Sequence, residues 1–244
     1  MISIIIPLFN EEENVLLYPK KLFPITAEIA GRYGETCEYI LVDDGSRDST
    51  FSNIRELHRN HPGIIVVTHE VNKGMGAAVR SGIAQCHGDL IIAMDSELSY
   101  LPEDIEKLLK TYRETGADCI SASPYRGNGL TTEFVSPFRL FISKSVNFLY
   151  RVLLWEDITC VSAIFRLYKR EVLTNLKLES NNFEIDAEIL AKLILNKKTV
   201  KEIDVKLHKR EFGESKLNVK KEIKNNLKIL YKIFKVRIFK SEWK

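Results

Sequence analysis

Two pairs of carboxylates directly follow apolar, β-branched runs in the first hundred residues. Asp43 and Asp44 follow one such run, and Asp95 and Glu97 follow another. Carboxylates at the end of a buried strand repel each other and lose hydration unless a donor or a cation compensates them. A base N–H or a ribose hydroxyl could compensate Asp43 and Asp44. Asp95 and Glu97 could hold Mg²⁺ or Mn²⁺ with substrate phosphates, and a solvated loop is the alternative.

Two further segments have residue types that suit a nucleotide diphosphate. Residues 72–82, which include Lys73, place small side chains at the start of a predicted helix, where backbone amides could approach a phosphate. The segment fits neither common glycine-rich phosphate motif, so tight packing of the helix on the sheet is an equal alternative. Residues 7–14, PLFNEEEN, begin another helix that Asn10 could cap.

Each of these four segments stands at the end of a predicted strand. Strands are predicted at Ile2–Ile6, Tyr39–Val42, Ile64–Thr68, Leu90–Met94 and Asp118–Ser123. Helical patterns alternate with them, which favours an α/β fold with a mostly parallel central sheet and helices on both faces. Ligands bind beyond the C-terminal ends of such strands, so we expect the four segments to meet at one edge.

The remaining elements are predicted from the same patterns. Pro19 and Pro24 should split the helical segment that runs from Glu11 to about Arg32. Later elements are predicted as helices at Phe134–Leu153, Ile185–Leu195 and from about Val219, and as strands at Ala163–Tyr168 and Val200–Leu207.

Composition indicates a folded chain that meets any membrane from its surface. The 244 residues are 45% hydrophobic and 28% charged, which is typical of globular proteins. The four cysteines form no CxxC pair, so we expect no disulfide or metal role for them and a reduced, cytoplasmic location. The N-terminus lacks the basic region of a signal peptide, and no apolar run approaches the ~20 residues of a membrane span.

Charge is distributed unevenly along the chain. Residues 216–244 contain ten Lys or Arg and two Glu, a net charge of +8, whereas the rest carries −5. Apolar residues recur at helical spacing among these lysines, so the tail could lie on an anionic membrane surface. An ordinary helix packed on the body or on a second subunit is the alternative. We therefore predict a domain at 1–218 and a basic amphipathic helical tail at 219–244.

Several motifs together resemble the family 2 glycosyltransferases. They are PLFNEEEN, LVDDGSRDST, NKGMGAAVRSG and the acidic pair in MDSEL. SPFRLFISKSVN and KLHKREFGESKLN make the chain similar to dolichol-phosphate mannose synthases and other polyprenyl-phosphate glycosyltransferases within that family. The resemblance extends to about Asn218. It implies a GT-A fold and an inverting hexosyltransferase that moves a sugar from a nucleotide-diphosphate sugar to a polyprenyl phosphate.

The resemblance also implies roles for individual residues. The nucleotide base and ribose would be cradled by Pro7, Phe9, Glu11 and Asp43. The divalent metal would be held by Asp95 and Glu97. The donor would be covered by Arg210 and Lys216, and Arg210 would act in catalysis with the two metal ligands. The acceptor phosphate would be gripped by Arg139 and Ser143.

The chain departs from the family pattern at several places, which include Ser99, where the family has a longer polar side chain, and a longer segment between Thr159 and Phe165. Phe9 stands where the family usually has Tyr, and Asp95-Ser96-Glu97 stands for its Asp-x-Asp. The arginine expected after the fifth strand is missing unless Arg126 replaces it. Two alternatives therefore stay open, namely a GT-A transferase acting on a glycan hydroxyl and an inactive nucleotide-sugar-binding protein. Nucleic-acid binding is not expected, because the basic tail lacks a base-reading module.

Overall fold

Seven strands form one sheet in the described part of the chain. The computed structural model describes residues 1–127, 137–210, 212, 219–240 and 243, with the backbone alone at 137–139 and 219–220. The strands are β1 (Ile2–Leu8), β2 (Cys37–Asp43), β3 (Ile64–Thr68), β4 (Leu90–Ala93), β5 (Cys119–Ser123), β6 (Arg166–Lys169) and β7 (Val200–Asp204). Their order is β3-β2-β1-β4-β6-β5-β7. Only β6 among them runs antiparallel to its neighbours.

The helices cover both faces of this sheet and one end of it. They are α1 (Glu12–Val15), α2 (Tyr18–Lys21), α3 (Phe23–Arg32), α4 (Thr50–Asn60), α5 (Met75–Ile83), α6 (Ile105–Thr115), α7 (Pro137–Leu154), α8 (Arg170–Thr174), α9 (Ile185–Leu195) and α10 (Val219–Phe239). A 3₁₀ turn at Pro102–Asp104 precedes α6. None of the helices in the described residues is both long and apolar enough to cross a bilayer.

The two faces of the sheet carry separate hydrophobic cores because side chains alternate along a strand. Ile4 and Ile6 of β1 face a core shared with α3 and α6, whereas Ile5 faces a core shared with α5 and α9. A third cluster joins α7, α9 and α10, with Tyr150 and Ile233 fully buried in it. These cores fix the strand ends that carry the polar loops.

Most predicted elements are confirmed to within two residues, two strands differ by more, and the predicted helix start at Phe134 lies outside the described residues. The first helical segment is split into α1, α2 and α3, with a proline in the first turn of α2 and of α3, as Pro19 and Pro24 predicted. The strand predicted at Ala163–Tyr168 begins later, at Arg166, and the strand predicted at Val200–Leu207 ends at Asp204. The α/β fold class with a mostly parallel sheet is confirmed.

The predicted tail begins where α10 begins, at Val219. One face of α10 is packed on the body through Ile229, Leu230 and Ile233. The division into a 1–218 domain and a tail stays a prediction.

Candidate active site

The loops after β1 and β2 are joined by hydrogen bonds. The Asn10 N–H donates to Ser46 Oγ over 2.9 Å, and Asn10 Oδ1 accepts from the Arg47 N–H at 2.8 Å. Glu11 N–H donates to Thr50 Oγ1 at 2.7 Å. Asn10 has a φ of 52°, a left-handed conformation that asparagine tolerates. Asn10 therefore ties the two loops together, and the predicted cap is wrong, since Glu11 occupies the N-cap position of α1.

Asp43 ends β2 at the point where β2 pairs with the end of β1. Its Cα lies opposite that of Leu8, so the loop with Phe9 and Glu11 starts beside it. The side chain is buried, and Asp43 Oδ1 accepts a 3.2 Å hydrogen bond from the Ser46 N–H. Its other oxygen lies 3.5 Å from Thr68 Oγ1, at the outer limit of a hydrogen bond. Asp43 therefore retains capacity to accept another donor.

Asp44 differs from Asp43 in that protein groups surround its carboxylate. It accepts from the Lys73 N–H at 2.9 Å and from the Gly74 N–H at 2.8 Å. His69 Nδ1 lies 2.6 Å from the same carboxylate, and His69 Nε2 contacts Ser81 Oγ at 2.9 Å. These bonds compensate the buried charge of Asp44, which was the reason to expect a ligand there. They also fix the loop that carries Lys73.

The glycine-containing segment after β3 is packed against residues 180–182. Gly76 and Ala77 donate their N–H groups to the carbonyl of Asn181 at 2.8 and 3.3 Å. A Cβ on Gly76 would lie 2.5 Å from the Ser180 carbonyl oxygen, closer than packing allows. The amides that could have approached a phosphate are thus occupied, and the structure favours the packing alternative.

The two oxygens of Asp95 differ in their hydrogen bonding. Its Oδ2 accepts from the Ser99 N–H at 2.7 Å, whereas its buried Oδ1 has no hydrogen-bond partner among the described residues. Burial raises the pKa of this carboxyl, and its hydrogen bonds with Ser99 oppose that shift. A buried carboxylate oxygen without a donor is a position that a cation would stabilise.

Glu97 is joined to the C-terminal segment of the body. Arg210 Nη1 lies 2.8 Å from Glu97 Oε1, so a residue that was expected to cover the donor reaches one of the two candidate metal ligands. The neighbouring backbone makes a second link, because His208 N–H donates to the Ser99 carbonyl at 2.8 Å.

Tyr18 lies among the carboxylates of this edge. It is fully buried, and its hydroxyl donates to the Ser96 carbonyl at 3.0 Å. Its pKa is held well above the ordinary value by burial and then by the negative charges of Glu11, Asp95 and Glu97. Because Ser96 stands between Asp95 and Glu97, this hydrogen bond brings the Tyr18 hydroxyl to the turn that carries those two carboxylates. The sequence analysis missed Tyr18, because a tyrosine in an amphipathic helix carries no motif.

These carboxylates suit a divalent cation that is shared with a phosphate ligand. No group of three or more His, Cys, Asp or Glu side chains in the described chain is arranged to hold a metal alone. Mg²⁺ commonly takes one or two carboxylates and completes its shell with phosphate oxygens and water. Asp95, whose buried Oδ1 has no partner in the described part of the chain, and Glu97 fit that kind of site.

The candidate acceptor residues lie along β5 and α7. Ser143 Oγ is 2.6 Å from the hydroxyl of Tyr125, which follows β5. Arg126 Nη1 is 3.3 Å from Glu202 Oε2, and Glu202 also accepts from the Thr159 N–H. The side chain of Arg139 and the whole of Lys216 lie outside the described residues.

Arg166 is a second residue that sequence patterns did not single out. It is fully buried at the start of β6, and its guanidinium donates to Ser121 Oγ, to the Asp186 carbonyl and to the Val161 carbonyl. Its pKa stays raised although burial opposes the charge, because Tyr168 and Asp186 lie close to it. Arg166 thus fixes the start of α9 beneath the edge that carries Asp95. An arginine within the apolar run AIFRLY was the available signal.

Residues 3–176 match the family described as Glycosyl transferase family 2. The undecaprenyl-phosphate 4-deoxy-4-formamido-L-arabinose transferase of Photorhabdus laumondii is 32% identical over 225 residues, which are 91% of this chain and 64% of that protein. The polyprenol monophosphomannose synthase of Mycolicibacterium smegmatis is 31% identical over 88% of this chain and 80% of its own length. The chain thus spans less than two thirds of the first relative.

A solved structure shares the fold. Glucosyl-3-phosphoglycerate synthase from Mycobacterium tuberculosis, in complex with Mn²⁺, uridine diphosphate and phosphoglyceric acid, superposes with a TM-score of 0.66 at 18% identity, over 94% of this chain and 76% of that one. The fold predicted from the motifs, GT-A, is confirmed. With a family match over most of its length and relatives above 30% identity, this chain belongs to glycosyl transferase family 2.

Proposed function

We propose that the chain is an inverting glycosyltransferase that moves a sugar from a nucleotide-diphosphate sugar to a polyprenyl phosphate at a membrane surface. The observation that carries the proposal is the buried Asp95 Oδ1, which has no partner among the described residues and lies two positions from Glu97, the residue that Arg210 contacts at 2.8 Å. Acidic side chains at one edge of the sheet, beside a long cationic side chain, suit the binding of a divalent cation and a diphosphate. Two relatives above 30% identity have undecaprenyl phosphate or polyprenol in their names, which supports the acceptor class.

The donor is assigned to the edge formed by β2, β1 and β4. Neighbouring strands are about 4.8 Å apart, so β2 and β4 lie roughly 10 Å apart on either side of β1. We assign the base and ribose to Asp43 with Pro7, Phe9 and Glu11. Asp44 and Lys73 would shape the loop beside the donor, because Asp44 is bonded to the backbone of that loop.

Asp95 and Glu97 would hold Mg²⁺ or Mn²⁺ on the diphosphate. The bound cation supplies Lewis-acid stabilisation of the leaving diphosphate. Solved structures of the mycobacterial synthase with Mn²⁺ or Mg²⁺ and uridine diphosphate support this cofactor class.

The reaction is a displacement at the anomeric carbon of the donor sugar, with inversion. The acceptor phosphate oxygen forms the new bond while the bond to the nucleoside diphosphate breaks. Arg210, once released from Glu97, would stabilise the negative charge that grows on the leaving group, together with Lys216. A phosphate acceptor is already anionic near pH 7, so no strong general base is required.

The acceptor is assigned to the region between β5 and α7. Ser143 lies on the face of α7 that contacts Tyr125, and Arg126 lies at the end of β5 on the same edge as the carboxylates. We assign the lipid phosphate to Ser143, Arg126 and Arg139. The opposite face of α7 holds a depression of about 380 Å³, lined by Phe141, Lys144, Ser145, Phe148 and Leu149, which suits an apolar chain.

Exposed apolar stripes on α7 and α10 support a peripheral membrane contact. On α7 the exposed residues Phe141, Phe148 and Val152 fall on one face. On α10 a similar stripe of exposed side chains consists of Ile223, Leu227, Tyr231, Phe234 and Ile238. The exposed lysines 224, 228 and 235 lie beside that stripe, as expected for a helix in an anionic headgroup layer.

Transfer can be tested directly with the purified chain. Labelled UDP- and GDP-sugars are mixed with Mn²⁺ and undecaprenyl phosphate in vesicles, and the label in the lipid fraction is counted. Metal-dependent transfer to the lipid phosphate supports the proposal. Transfer only to sugar hydroxyls would replace it with the glycan-acceptor alternative. If neither transfer nor hydrolysis is observed, the chain is a nucleotide-sugar-binding protein without activity.

Arg210 gives a sharper test of the catalytic assignment. Arg210→Ala should lower kcat about 100-fold, because a charge-stabilising donor would be lost. Lys206→Ala, at an exposed lysine in the same segment, serves as the control and should leave kcat within about twofold. Steady-state kinetics at saturating Mn²⁺ distinguish the two, and equal kinetics for both variants would refute the role of Arg210.

The membrane contact is tested with matched pairs of exposed apolar residues. Leu227→Ser with Ile238→Ser should weaken co-sedimentation with vesicles of phosphatidylcholine and phosphatidylglycerol, because the stripe loses buried area. The control is Leu16→Ser with Val71→Ser, at positions that are comparably exposed but lie outside both helices. If the two double variants bind vesicles alike, α10 is not the contact.

A further inference from the structure

We propose that Tyr18 is a positioning residue that holds the Asp95–Glu97 turn in the geometry that receives the divalent cation. This inference rests on the proposed function of that turn. Tyr18 belongs to the N-terminal helical segment, whereas the sequence motifs predicted site residues only at the ends of strands.

The contact between Tyr18 and Ser96 is buried and spans the chain. The Tyr18 hydroxyl donates to the Ser96 carbonyl at 3.0 Å, across 78 positions of sequence. Ser96 stands between the two carboxylates, so its carbonyl fixes the orientation of the peptide plane that leads into Glu97. A hydrogen bond at that position restrains both neighbouring side chains at once.

Tyr18 is itself held rigidly. It is the first residue of α2, where Pro19 starts the helix, and its side chain is fully buried. Its ring meets that of Phe23 edge to face, with centroids 6.1 Å apart. A side chain locked by packing can serve as a fixed reference for the turn, which a mobile side chain could not.

The turn itself has a conformation that needs support. Leu98 has a φ of 54°, in the left-handed region that leucine rarely adopts. The Ser99 N–H bonds Asp95 Oδ2, and the His208 N–H bonds the Ser99 carbonyl. These bonds hold the C-terminal half of the turn, and Tyr18 holds the peptide between the two carboxylates.

Tyr18→Phe removes the hydroxyl and keeps the ring. The matched control is Tyr150→Phe on α7, at an equally buried tyrosine whose hydroxyl donates to Asn226 Oδ1 at 3.0 Å. Binding of Mn²⁺ in the presence of a fixed concentration of uridine or guanosine diphosphate is followed through the electron paramagnetic resonance signal of the free ion, after subtraction of the Mn²⁺ that the nucleotide binds without protein. We expect Tyr18→Phe to raise the Kd for Mn²⁺ about tenfold, as loss of an outer-shell partner does, and Tyr150→Phe to leave it within about twofold.

A kinetic readout separates positioning from catalysis. At saturating Mn²⁺ the kcat of Tyr18→Phe should return to within about twofold of the wild type, because the hydroxyl touches no reacting atom. Thermal unfolding of both variants reports the common loss of a buried hydrogen bond, and similar losses show that stability does not explain the difference in Kd.

The outcomes distinguish this inference from the function on which it rests. If the wild-type chain binds Mn²⁺, Asp95→Asn abolishes that binding, and Tyr18→Phe leaves the Kd unchanged, the role of Tyr18 is overturned and the metal site stands. If the wild-type chain binds no Mn²⁺, with or without uridine or guanosine diphosphate, both are overturned.

Discussion

At the scale of single residues, the carboxylates of the sheet edge differ in how the protein compensates their charge. Asp44 receives two backbone N–H groups and a contact from His69. Glu97 is paired with Arg210. Asp95 has one oxygen bonded to Ser99 and another that is buried without a partner in the described chain. Asp95 should therefore lower the stability of the metal-free protein, because its charge is not fully compensated, while it serves the binding of a cation.

Asp95→Asn should therefore separate stability from ligand binding. Without metal, the variant should unfold at a temperature equal to or above that of the wild type, because it buries no carboxylate charge. With Mn²⁺ and a nucleoside diphosphate, only the wild type should gain thermal stability, since only it binds the cation. Thermal unfolding with and without ligands measures both effects, and a large loss of stability in the metal-free variant would contradict the reasoning.

At the scale of elements, α5 shows how packing can take over a segment that looks suited to phosphate. Its first amides donate to the Asn181 carbonyl, and Arg80 contacts both the Ser180 carbonyl and Asn181 Oδ1. Gly74, with a φ of 97°, and Gly76 allow this approach, because a Cβ on either would collide with residues 180–182. The two glycines therefore allow the start of α5 to pack closely against residues 180–182.

Gly76→Ala should destabilise the protein by about 1–3 kcal/mol, as overpacking does. Gly31→Ala is the matched control, because a Cβ there meets nothing within 4 Å and the position lies in α3. The control should stabilise by about 0.5–1 kcal/mol, since alanine favours the helix over glycine. Urea unfolding of both variants measures the difference, and equal midpoints would argue against the close contact with Ser180.

At the scale of the whole molecule, α10 attaches to the body across a cluster of acidic groups. Burial raises the pKa of Glu222 to about 7, with Glu184 adding to the shift and Lys221 opposing it. Burial also raises the pKa of Asp186 on α9 to about 7, against the opposing charge of Arg166 and with the help of Glu222. The hydrophobic contacts of α10 are therefore opposed by negative charge when these groups ionise.

The docking of α10 should accordingly depend on pH. A carboxyl whose folded pKa is raised contributes stability below its ordinary pKa, and this stability is lost as the pH rises through the folded value of about 7. Hydrogen exchange of residues 221–239 should thus be slower at pH 6 than at pH 8, after correction for intrinsic rates. Glu222→Gln should reduce this dependence, whereas Glu171→Gln, at an exposed position of α8, should not. Equal pH dependence in both variants would exclude the acidic cluster as the cause.

The sequence by itself determined the alternation of strands and helices and the positions of the polar loops. Continuous apolar, β-branched runs located the strands to within a few residues, and Pro19 and Pro24 fixed the breaks in the first helical segment. These features depend on neighbours along the chain. The carboxylates at the ends of β2 and β4 could be assigned to one edge because parallel strands end on the same side.

Only the tertiary structure decided which polar groups meet and which are already satisfied. The antiparallel pairing of β6 brings Arg166 opposite Ala93, beneath the acidic turn. Three sets of contacts join residues between 25 and 105 positions apart: the bonds from the α5 amides to Asn181, the bonds to Asp44, and the bond from Tyr18 to Ser96. Such contacts depend on how the layers pack, and local sequence patterns do not encode them, because the energy of each contact is set by burial and geometry in the folded chain.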